Sequence, residues 1–198
     1  IKLSAQRLEK TFTENKVNKK SFLDCTDTIK RQVNNIQTLV SDFSNFARMP
    51  ESIFKEVKLS KIIETQIKTI KILENKIKFN YKNTFKELKI NCDENQIGRV
   101  FLNILKNSYE SSQKKNKVIS VKINKEKKLV EIIIEDNGVG FPENRDKLFE
   151  PYITNKENGT GLGLAICKKI IEDHGGEINL LDSLKYGGAC VRLKLIRV

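Results

Sequence analysis

The chain has 198 residues, of which 38% are hydrophobic and 31% charged, a balance that supports a folded core and excludes a wholly disordered chain. It contains neither an apolar run long enough for a membrane helix nor a basic-then-apolar leader, and because it opens on Ile1 we expect a piece of a longer protein. The formal net charge is +12, but 30 of the 37 basic residues are Lys and only 7 are Arg, the side chain that most often reads bases. We therefore expect a solvated basic surface, which would also suit a polyphosphate or an acidic protein partner, and no binding of nucleic acid.

The cysteines and the single histidine argue against two kinds of site. Cys25, Cys92, Cys167 and Cys190 are widely spaced, without a Cys-x-x-Cys pair, and His174 is the only histidine. A zinc site is therefore not expected, and nothing near His174 would supply the nucleophile of a Ser-His-Asp or Cys-His arrangement. Cysteines spaced in this way are typically reduced and buried.

The first fifty residues predict two helices joined by a polar turn at residues 14–20. In the first helix, apolar residues recur at steps of four and three, at Ile1, Ala5, Leu8 and Phe12. In the second, Ser21 and Asp24 resemble a capping box, and Pro50 disfavours helix in the residue before it. An apolar seam with one polar member runs along this helix at heptad spacing, at Phe22, Thr26, Ile29, Val33, Ile36, Val40, Phe43 and Ala47.

A hairpin of two helices is too narrow to bury both apolar faces alone. We therefore expect residues 1–48 to form a homodimer contact, in which two hairpins build a four-helix bundle. The alternative is that both helices pack on the domain that follows. The strict heptad spacing and the break at Pro50 favour the dimer.

After residue 50, helices and strands mix without strict alternation. Helices are predicted from a cap at Ser60 to about Asn75, from a capping box at Asp93 and Gln96 to about Gln113, and over 162–174, where Gly175-Gly176 ends the helix. Strands are predicted at 77–82, 87–91, 118–125, 128–135, 177–182 and 189–197, with a polar loop over roughly 137–160. This pattern predicts an α+β sandwich over residues 51–198, with one sheet under one layer of helices.

Three features of this second region could together hold a nucleotide. Asn103 and Asn107 share one face of a helix, Asp136-Asn137-Gly138-Val139-Gly140 follows an apolar strand, and the glycine-rich run 159–164 opens a helix. An Asn oxygen suits Mg²⁺, a carboxylate at a strand end can accept the amino group of adenine, and glycines before a helix present N–H groups to phosphates. Taken singly each signal is weak, because Asp-Asn-Gly is most often a turn and the glycines fit neither the Walker A nor the Rossmann pattern. In this order and spacing they indicate a nucleotide site.

The chain resembles bacterial sensor histidine kinases of two-component systems, whose ATP-binding module has the Bergerat or GHKL fold. The matching segments are the N box at 103–107 (NILKN), the G1 box at 136–140 (DNGVG), the F box and lid at 149–156 (FEPYITNK), the G2 box at 159–164 (GTGLGL) and its continuation at 170–176 (IIEDHGG). Residues 1–50 look like the dimerisation and phosphotransfer hairpin of that family. Segments 3–8 (LSAQRL) and 43–50 (FSNFARMP) are most similar to NtrY-type nitrogen-regulation sensor kinases.

The resemblance implies a kinase core that binds Mg²⁺·ATP, transfers the γ-phosphate to a histidine, and passes it to an Asp of a response regulator receiver domain. It implies that Asp136 holds the adenine amino group, that Asn107 binds Mg²⁺ with Asn103 beside it, and that Lys156 reaches the γ-phosphate from the lid. In these roles Asn107 and Lys156 are the catalytic residues. The further cofactor-binding positions that it implies are Gly138, Gly140, Gly159, Thr160, Gly161, Leu162 and Gly163. For Phe149 two readings stay open, a packing switch of the lid or a core residue.

Two departures from the family pattern affect the expected activity. By the register of the match, the phosphorylated histidine would lie roughly nine residues before Ile1, two to three helical turns upstream, so we expect that this chain cannot phosphorylate itself. We expect His174, at a helix end, to be a cap that interacts with the helix dipole. Glu110-Ser111 stand where many relatives have Lys and Tyr, which removes one possible phosphate contact.

The resemblance leaves one alternative function, a non-kinase GHKL ATPase or a degenerate ATP-binding dimerisation scaffold. It also implies a location, the cytoplasmic portion of a membrane-anchored bacterial sensor. Any attachment to the membrane would lie in upstream parts of the parent protein.

Overall fold

The computed structural model describes residues 1–13, 18–47, 50–82, 84–112, 114–154, 156 and 159–197, with the backbone alone at positions 38, 42 and 45–47. The chain divides into two compact units, one of Ile1–Met49 with Asn155–Thr160 and the other of Pro50–Thr154 with Gly161–Val198. Within the described residues, no helix combines the length and the apolar character that crossing a membrane requires.

The first unit contains two helices that contact each other, α1 at Lys2–Thr13 and α2 at Lys19–Ala47. Helix α2 begins two residues before the predicted capping box, because the Asn18 side chain accepts a hydrogen bond from the N–H of Lys20 at 2.9 Å. Ser21 is therefore not the cap, and that prediction is wrong. Residues 14–17 of the predicted turn and the predicted end of the helix at 48–49 lie outside the described residues.

The apolar seam of α2 is largely exposed in the single chain. Phe22 is 48% exposed, Ile36 50%, Val40 59% and Phe43 52%. Cys25, by contrast, is 6% exposed. The apolar face of the hairpin thus keeps surface that a further partner could cover.

The described residues of the second unit form two sheets, three α-helices and a 3₁₀ segment. In chain order its elements are β1 Lys55–Lys58, α3 Leu59–Leu73, β2 Lys78–Tyr81, β3 Lys89–Cys92, α4 Glu94–Ser111, β4 Val118–Lys125, β5 Leu129–Asp136, the 3₁₀ helix Arg145–Phe149, α5 Gly163–Asp173, β6 Glu177–Asp182 and β7 Ala189–Ile196. The main sheet has the order β2-β4-β5-β7-β6, in which β2 pairs with β4 in parallel and the other neighbours are antiparallel. The expectation of a single sheet is wrong, because β1 and β3 form a separate antiparallel pair.

One face of the main sheet forms the core with the helices. Alternate residues of β5 are buried, among them Val130, Ile132 and Ile134, as expected for a sheet covered on one side. Helix α4 packs against β4 and β5, and its Phe101 is fully buried. Asp136 continues the buried series of β5, so this carboxylate ends the strand on the covered face.

Two local predictions fail because long-range contacts decide the structure. Strand β1 was not predicted, since Val57 is its single apolar residue, and the strand exists through pairing of Val57 with Ile90 on β3. Ser60 does not cap α3 but lies within its first turn, where its hydroxyl donates to the carbonyl of Lys86 at 3.3 Å.

The four cysteines are all buried and free, as predicted. Burial raises the pKa of both Cys92 and Cys167 to about 12. These two thiols are therefore neutral and unreactive near neutral pH.

Candidate active site

Asp136 is the most deeply buried charged side chain of the predicted site, with 2% of its surface exposed. Its Oδ1 accepts hydrogen bonds from the N–H groups of Gly138 at 2.8 Å and of Ala189 at 3.0 Å. Burial raises the pKa of Asp136, while these two donors, together with nearby Ser108 and Lys114, act in the opposite direction. The site thus holds a desolvated carboxyl group in a fixed orientation.

Glycines at the turn after β5 and before β7 allow this close packing. A Cβ on Gly138 would lie 2.2 Å from Oγ of Ser111, and one on Gly188 would lie 2.4 Å from the carbonyl oxygen of Asp136. A side chain on Gly138 would push the turn away from α4, and a side chain on Gly188 would push it away from the end of β5. Gly138 was among the predicted residues, whereas Gly188 was not.

Asn137 has a structural role in the G1 box. Its Oδ1 accepts from the N–H of Val118 at 3.0 Å and from the Ser112 hydroxyl at 3.3 Å, while its Nδ2 donates to the carbonyl of Asn116 at 2.9 Å. These bonds join the segment after α4 to the start of β4 and to the turn that follows Asp136.

The two N-box asparagines lie half-buried on one face of α4, as predicted. Nδ2 of Asn103 donates to the carbonyl of Gly163 at 3.4 Å, so the N box is joined to the first residue of α5. Asn107 lies one turn further along and directly precedes Ser108. On the same helix, Glu110 is paired with Lys106 at 3.8 Å.

The glycine-rich turn is held against the F box by its backbone. Gly161 has φ +69°, and a Cβ there would lie 2.5 Å from the carbonyl carbon of Tyr152. The N–H of Tyr152 donates to the carbonyl of Gly161 at 3.1 Å. The residue before α5, Leu162, is fully buried and makes no side-chain cap bond, and its role toward a nucleotide stays a prediction. Gly140, on the G1 turn, also has a positive φ, of +77°.

Three predicted residues, Lys156, Gly159 and Thr160, belong to the first unit. The N–H of Gly159 donates to the carbonyl of Lys156 at 3.1 Å. Their roles toward a nucleotide stay predictions. Phe149 is half-buried, with Nζ of Lys168 5.2 Å from the centre of its ring, so it is not a fully buried core residue.

His174 is buried and joins two helices. Its Nε2 accepts the backbone N–H of Asp93 at 3.0 Å, so Nδ1 carries the proton and donates to the carbonyl of Ile170 at 2.7 Å. The ring also lies 4.9 Å from that of Phe54. His174 thus bonds a carbonyl in the last turn of α5, as predicted for a cap, and it also accepts the backbone N–H of Asp93.

Comparison with known proteins identifies the class. A model of histidine kinase-, DNA gyrase B- and HSP90-like ATPases matches residues 92–197, and the chain belongs to this family. The nitrogen regulation protein NtrY of Azorhizobium caulinodans is 37% identical over 98% of this chain, which spans 26% of that relative. The nucleotide-free catalytic domain of histidine kinase ThkA is 30% identical, with a TM-score of 0.65 over 73% of this chain and 96% of that one.

These likenesses confirm the predicted resemblance and the α+β fold. The domain is the ATP-binding catalytic domain of a sensor histidine kinase, similar in sequence to nitrogen-regulation sensors. A solved complex of histidine kinase ThkA with the response regulator protein TrrA matches 99% of this chain and 57% of that one, with a TM-score of 0.80. At 20% identity, that last likeness concerns the fold alone.

Proposed function

We propose that this chain is a kinase core that binds Mg²⁺·ATP and transfers its γ-phosphate to a histidine, from which the phosphate passes to an Asp of a response regulator. The observation that carries the proposal is the buried carboxylate of Asp136, with Oδ1 bonded to two backbone N–H groups. An ionised carboxylate only accepts hydrogen bonds, so it is complementary to the exocyclic amino group of adenine.

The other residues of the site fit the remaining parts of the nucleotide. The amide oxygen of Asn107, with Asn103 beside it, is a hard ligand suited to Mg²⁺, which keeps several waters and shares phosphate oxygens. The uncapped first turn of α5, after Gly161, offers N–H groups and the positive end of a helix dipole to phosphates. Lys156 would neutralise the γ-phosphate. When bound, Mg²⁺·ATP supplies the phosphoryl group, and the chain contributes position and charge neutralisation.

The phosphate acceptor in this proposal lies outside the chain. His174 is its only histidine, is 7% exposed, and has both ring nitrogens in hydrogen bonds. Attack on a γ-phosphate would require the ring to leave the core and to break both bonds. We therefore expect no phosphorylation of this chain by itself.

The proposed partners are a second copy of the chain and a response regulator. The exposed seam on α2 supports a homodimer through residues 1–48. The complex of ThkA with TrrA supports a receiver domain as partner, since the two kinases share a fold. By the same family resemblance, we propose that the chain is the cytoplasmic portion of a membrane-anchored sensor.

Calorimetric titration with Mg²⁺·ATP tests the nucleotide site. The parent chain should bind, and Asp136→Asn should lose at least about tenfold in affinity, because the adenine amino group would then face a group that can also donate. The Asn variant should fold, since its Oδ1 can still accept both N–H bonds. Burial of the charge raises the pKa of Asp136, so its ionisation opposes folding and the neutral amide removes that cost. Equal binding by both chains would refute the assignment of Asp136.

The transfer step needs a separate test on a longer chain that includes the upstream helical turns. Acid-labile phosphate on the upstream histidine would support the kinase. Nucleotide binding without any transfer would favour the alternative of a non-kinase ATPase or scaffold. Labelling of His174 in the present chain would contradict the proposed acceptor.

A further inference from the structure

A cavity of about 610 Å³ lies in the second unit, between the loop after β2, strand β3, the end of β4 and the residue after β7. This volume is within the range of small-molecule sites. Lys125, in the wall of the cavity, is opposite Val130 in the main sheet, whereas Asp136 is opposite Ile119. Six positions of β4 separate these two pairs, which is about 20 Å along the strand. The cavity is therefore separate from the proposed nucleotide site.

The lining of this cavity is mainly basic. Its cationic residues are Lys86, Lys89, Lys125 and Arg197, and among the described lining residues Glu87 alone is acidic. Four positive charges against one negative charge leave a formal charge of +3. The side chains of Lys86 and Lys125 are exposed, and that of Arg197 is half-buried. A ligand in the cavity would therefore meet a positive surface.

The carboxylates nearest to the cavity already have partners. Glu87 pairs with Lys58 at 2.8 Å, and Glu56 pairs with Lys89 at 3.2 Å. In the part of the chain that the structure describes, Lys86, Lys125 and Arg197 take part in no ion pair. Three positive charges thus line one cavity without a counter-charge, and an anion bound there would offset their mutual repulsion.

Backbone contacts fix the walls of the cavity. Arg197 forms an antiparallel bridge with Ile90 of β3, and its N–H donates to the carbonyl of Lys128 at 3.1 Å. In the loop after β2, the N–H of Leu88 donates to the carbonyl of Phe85 at 3.1 Å, and the Leu88 side chain is buried. The cavity is therefore formed before a ligand binds, which lowers the entropic cost of binding.

We propose that this cavity is a second anion site, which binds a compact polyanion of the oligophosphate class. Lysine ammonium groups bind phosphate oxygens as point charges, and an arginine can bind two such oxygens at once. An oligophosphate concentrates several negative charges in a small volume, as three cations around one cavity require. In an extended acidic peptide, successive carboxylates point to opposite sides, so fewer of them could enter. The proposal does not depend on the ATP site.

Calorimetric titration with inorganic tripolyphosphate tests the cavity. The double variant Lys86→Gln with Arg197→Gln should lose at least about tenfold in affinity, because two charge-assisted contacts are removed. Arg197 holds the fold through its backbone, so this variant should unfold in urea as the parent does. Lys125→Gln, on an exposed side chain, should lose a smaller factor, and it serves as the test if the double variant does not fold.

The first turn of α5 could also bind phosphates, so amide NMR must locate the anion. Tripolyphosphate should shift the amide signals of residues 84–89 and 197. Shifts confined to residues 159–163 would place the anion in the nucleotide site and overturn the proposal.

Lys76→Gln with Lys122→Gln is the matched control. Both lysines are exposed residues of the second unit that do not line the cavity, and the control removes the same charge. It should keep the parental affinity for tripolyphosphate. An equal loss of affinity in the two double variants would show a general effect of net charge and overturn the proposal.

Two further results would also contradict the proposal. Tighter binding of a hexaglutamate peptide than of tripolyphosphate would assign the cavity to an acidic protein segment. Failure of the parent chain to bind tripolyphosphate would refute the anion site. Titration with Mg²⁺·ATP tests the nucleotide site separately, and both double variants should bind Mg²⁺·ATP as the parent does, so the two failures are distinguishable.

Discussion

Gly161 and Gly187 have nearly the same backbone conformation in different surroundings, which allows strain and steric contact to be separated. Their φ angles are +69° and +73°, but a Cβ on Gly161 would lie 2.5 Å from a carbonyl carbon, whereas nothing lies within 4 Å of one on Gly187. Gly187→Ala should cost only the left-handed strain, about 1 kcal/mol of unfolding free energy. Gly161→Ala should cost roughly 3 kcal/mol, because the turn must also move away from Tyr152.

Urea denaturation measures both costs, and titration with Mg²⁺·ATP shows their effect on the site. Gly187→Ala should bind as the parent does, whereas Gly161→Ala should bind more weakly because it displaces the turn before α5. Equal loss of stability in the two variants would mean that the contact at Tyr152 relaxes without cost.

At the scale of single residues, the sequence indicates side chains with a chemical signature and misses those that act through the backbone or through distant contacts. Asp136 and Gly138 could be predicted because a strand followed by Asp-Asn-Gly has a recognisable pattern. Ala189 could not, since it contributes an N–H that almost any residue would supply.

At the scale of elements, the first turn of α4 connects three parts of the second unit. Oδ1 of Asp93 accepts from the N–H groups of Asn95 and Gln96, and Oδ2 accepts from that of Ile53 at 2.9 Å. The N–H of Asp93 in turn donates to His174 at the end of α5. One aspartate thus holds the segment after Pro50, the start of α4 and the end of α5 together.

The sequence predicts that Asp93 caps α4, but it does not predict the partners of the Gln96 side chain. Asp93 caps α4 as expected, whereas the side chain of Gln96 does not return to the N–H of Asp93 as a capping box requires. Gln96 instead accepts from the Ser52 hydroxyl at 2.9 Å and donates to the carbonyl of Pro50 at 3.1 Å. A local motif can predict which residue caps a helix, but tertiary contacts compete for its side chains.

Lowering the pH should reduce the free energy of unfolding, because the carboxylate of Asp93 becomes protonated. Burial alone would raise the pKa of Asp93, but the N–H groups of Ile53, Gln96 and Asn95 outweigh it, and the pKa lies below its ordinary value of 3.8. Because the folded-state pKa is lowered, the stabilisation is complete above about pH 4 and is lost as the pH falls through the lowered pKa. Asp93→Asn keeps an acceptor at the cap without titrating. Its unfolding free energy, measured in urea, should therefore fall less steeply than that of the parent as the pH drops below about 4.

A matched control for this experiment is Asp27→Asn, on an exposed side chain of α2 that pairs with Lys30 at 3.9 Å. That variant should follow the parental dependence on pH, since an exposed pair contributes little. Parallel curves for the parent and Asp93→Asn would contradict the proposed linkage.

At the scale of the whole molecule, the seam on α2 predicts the oligomeric state. Ile36 and Val40 are 50% and 59% exposed in the single chain, and a symmetric partner hairpin would cover them. Replacing both by Glu would place four carboxylates in the dimer core. We expect the dissociation constant of the dimer to rise by about a hundredfold or more, since each lost apolar contact contributes roughly 1.5 kcal/mol and the buried charges oppose association further.

Sedimentation velocity over a range of concentrations measures this change, and Asn34→Glu with Ser41→Glu controls for the added charge. These two residues are exposed on α2 outside the seam, so the control should remain a dimer. Both double variants should bind Mg²⁺·ATP as the parent does, because the site residues of α4, β5 and α5 belong to the second unit and the predicted residues 156, 159 and 160 of the first unit lie outside α2. A parent chain that is monomeric at every concentration would refute the dimer while leaving the nucleotide site untouched. Loss of ATP binding in the seam variant alone would instead mean that the nucleotide site depends on the pairing of two hairpins.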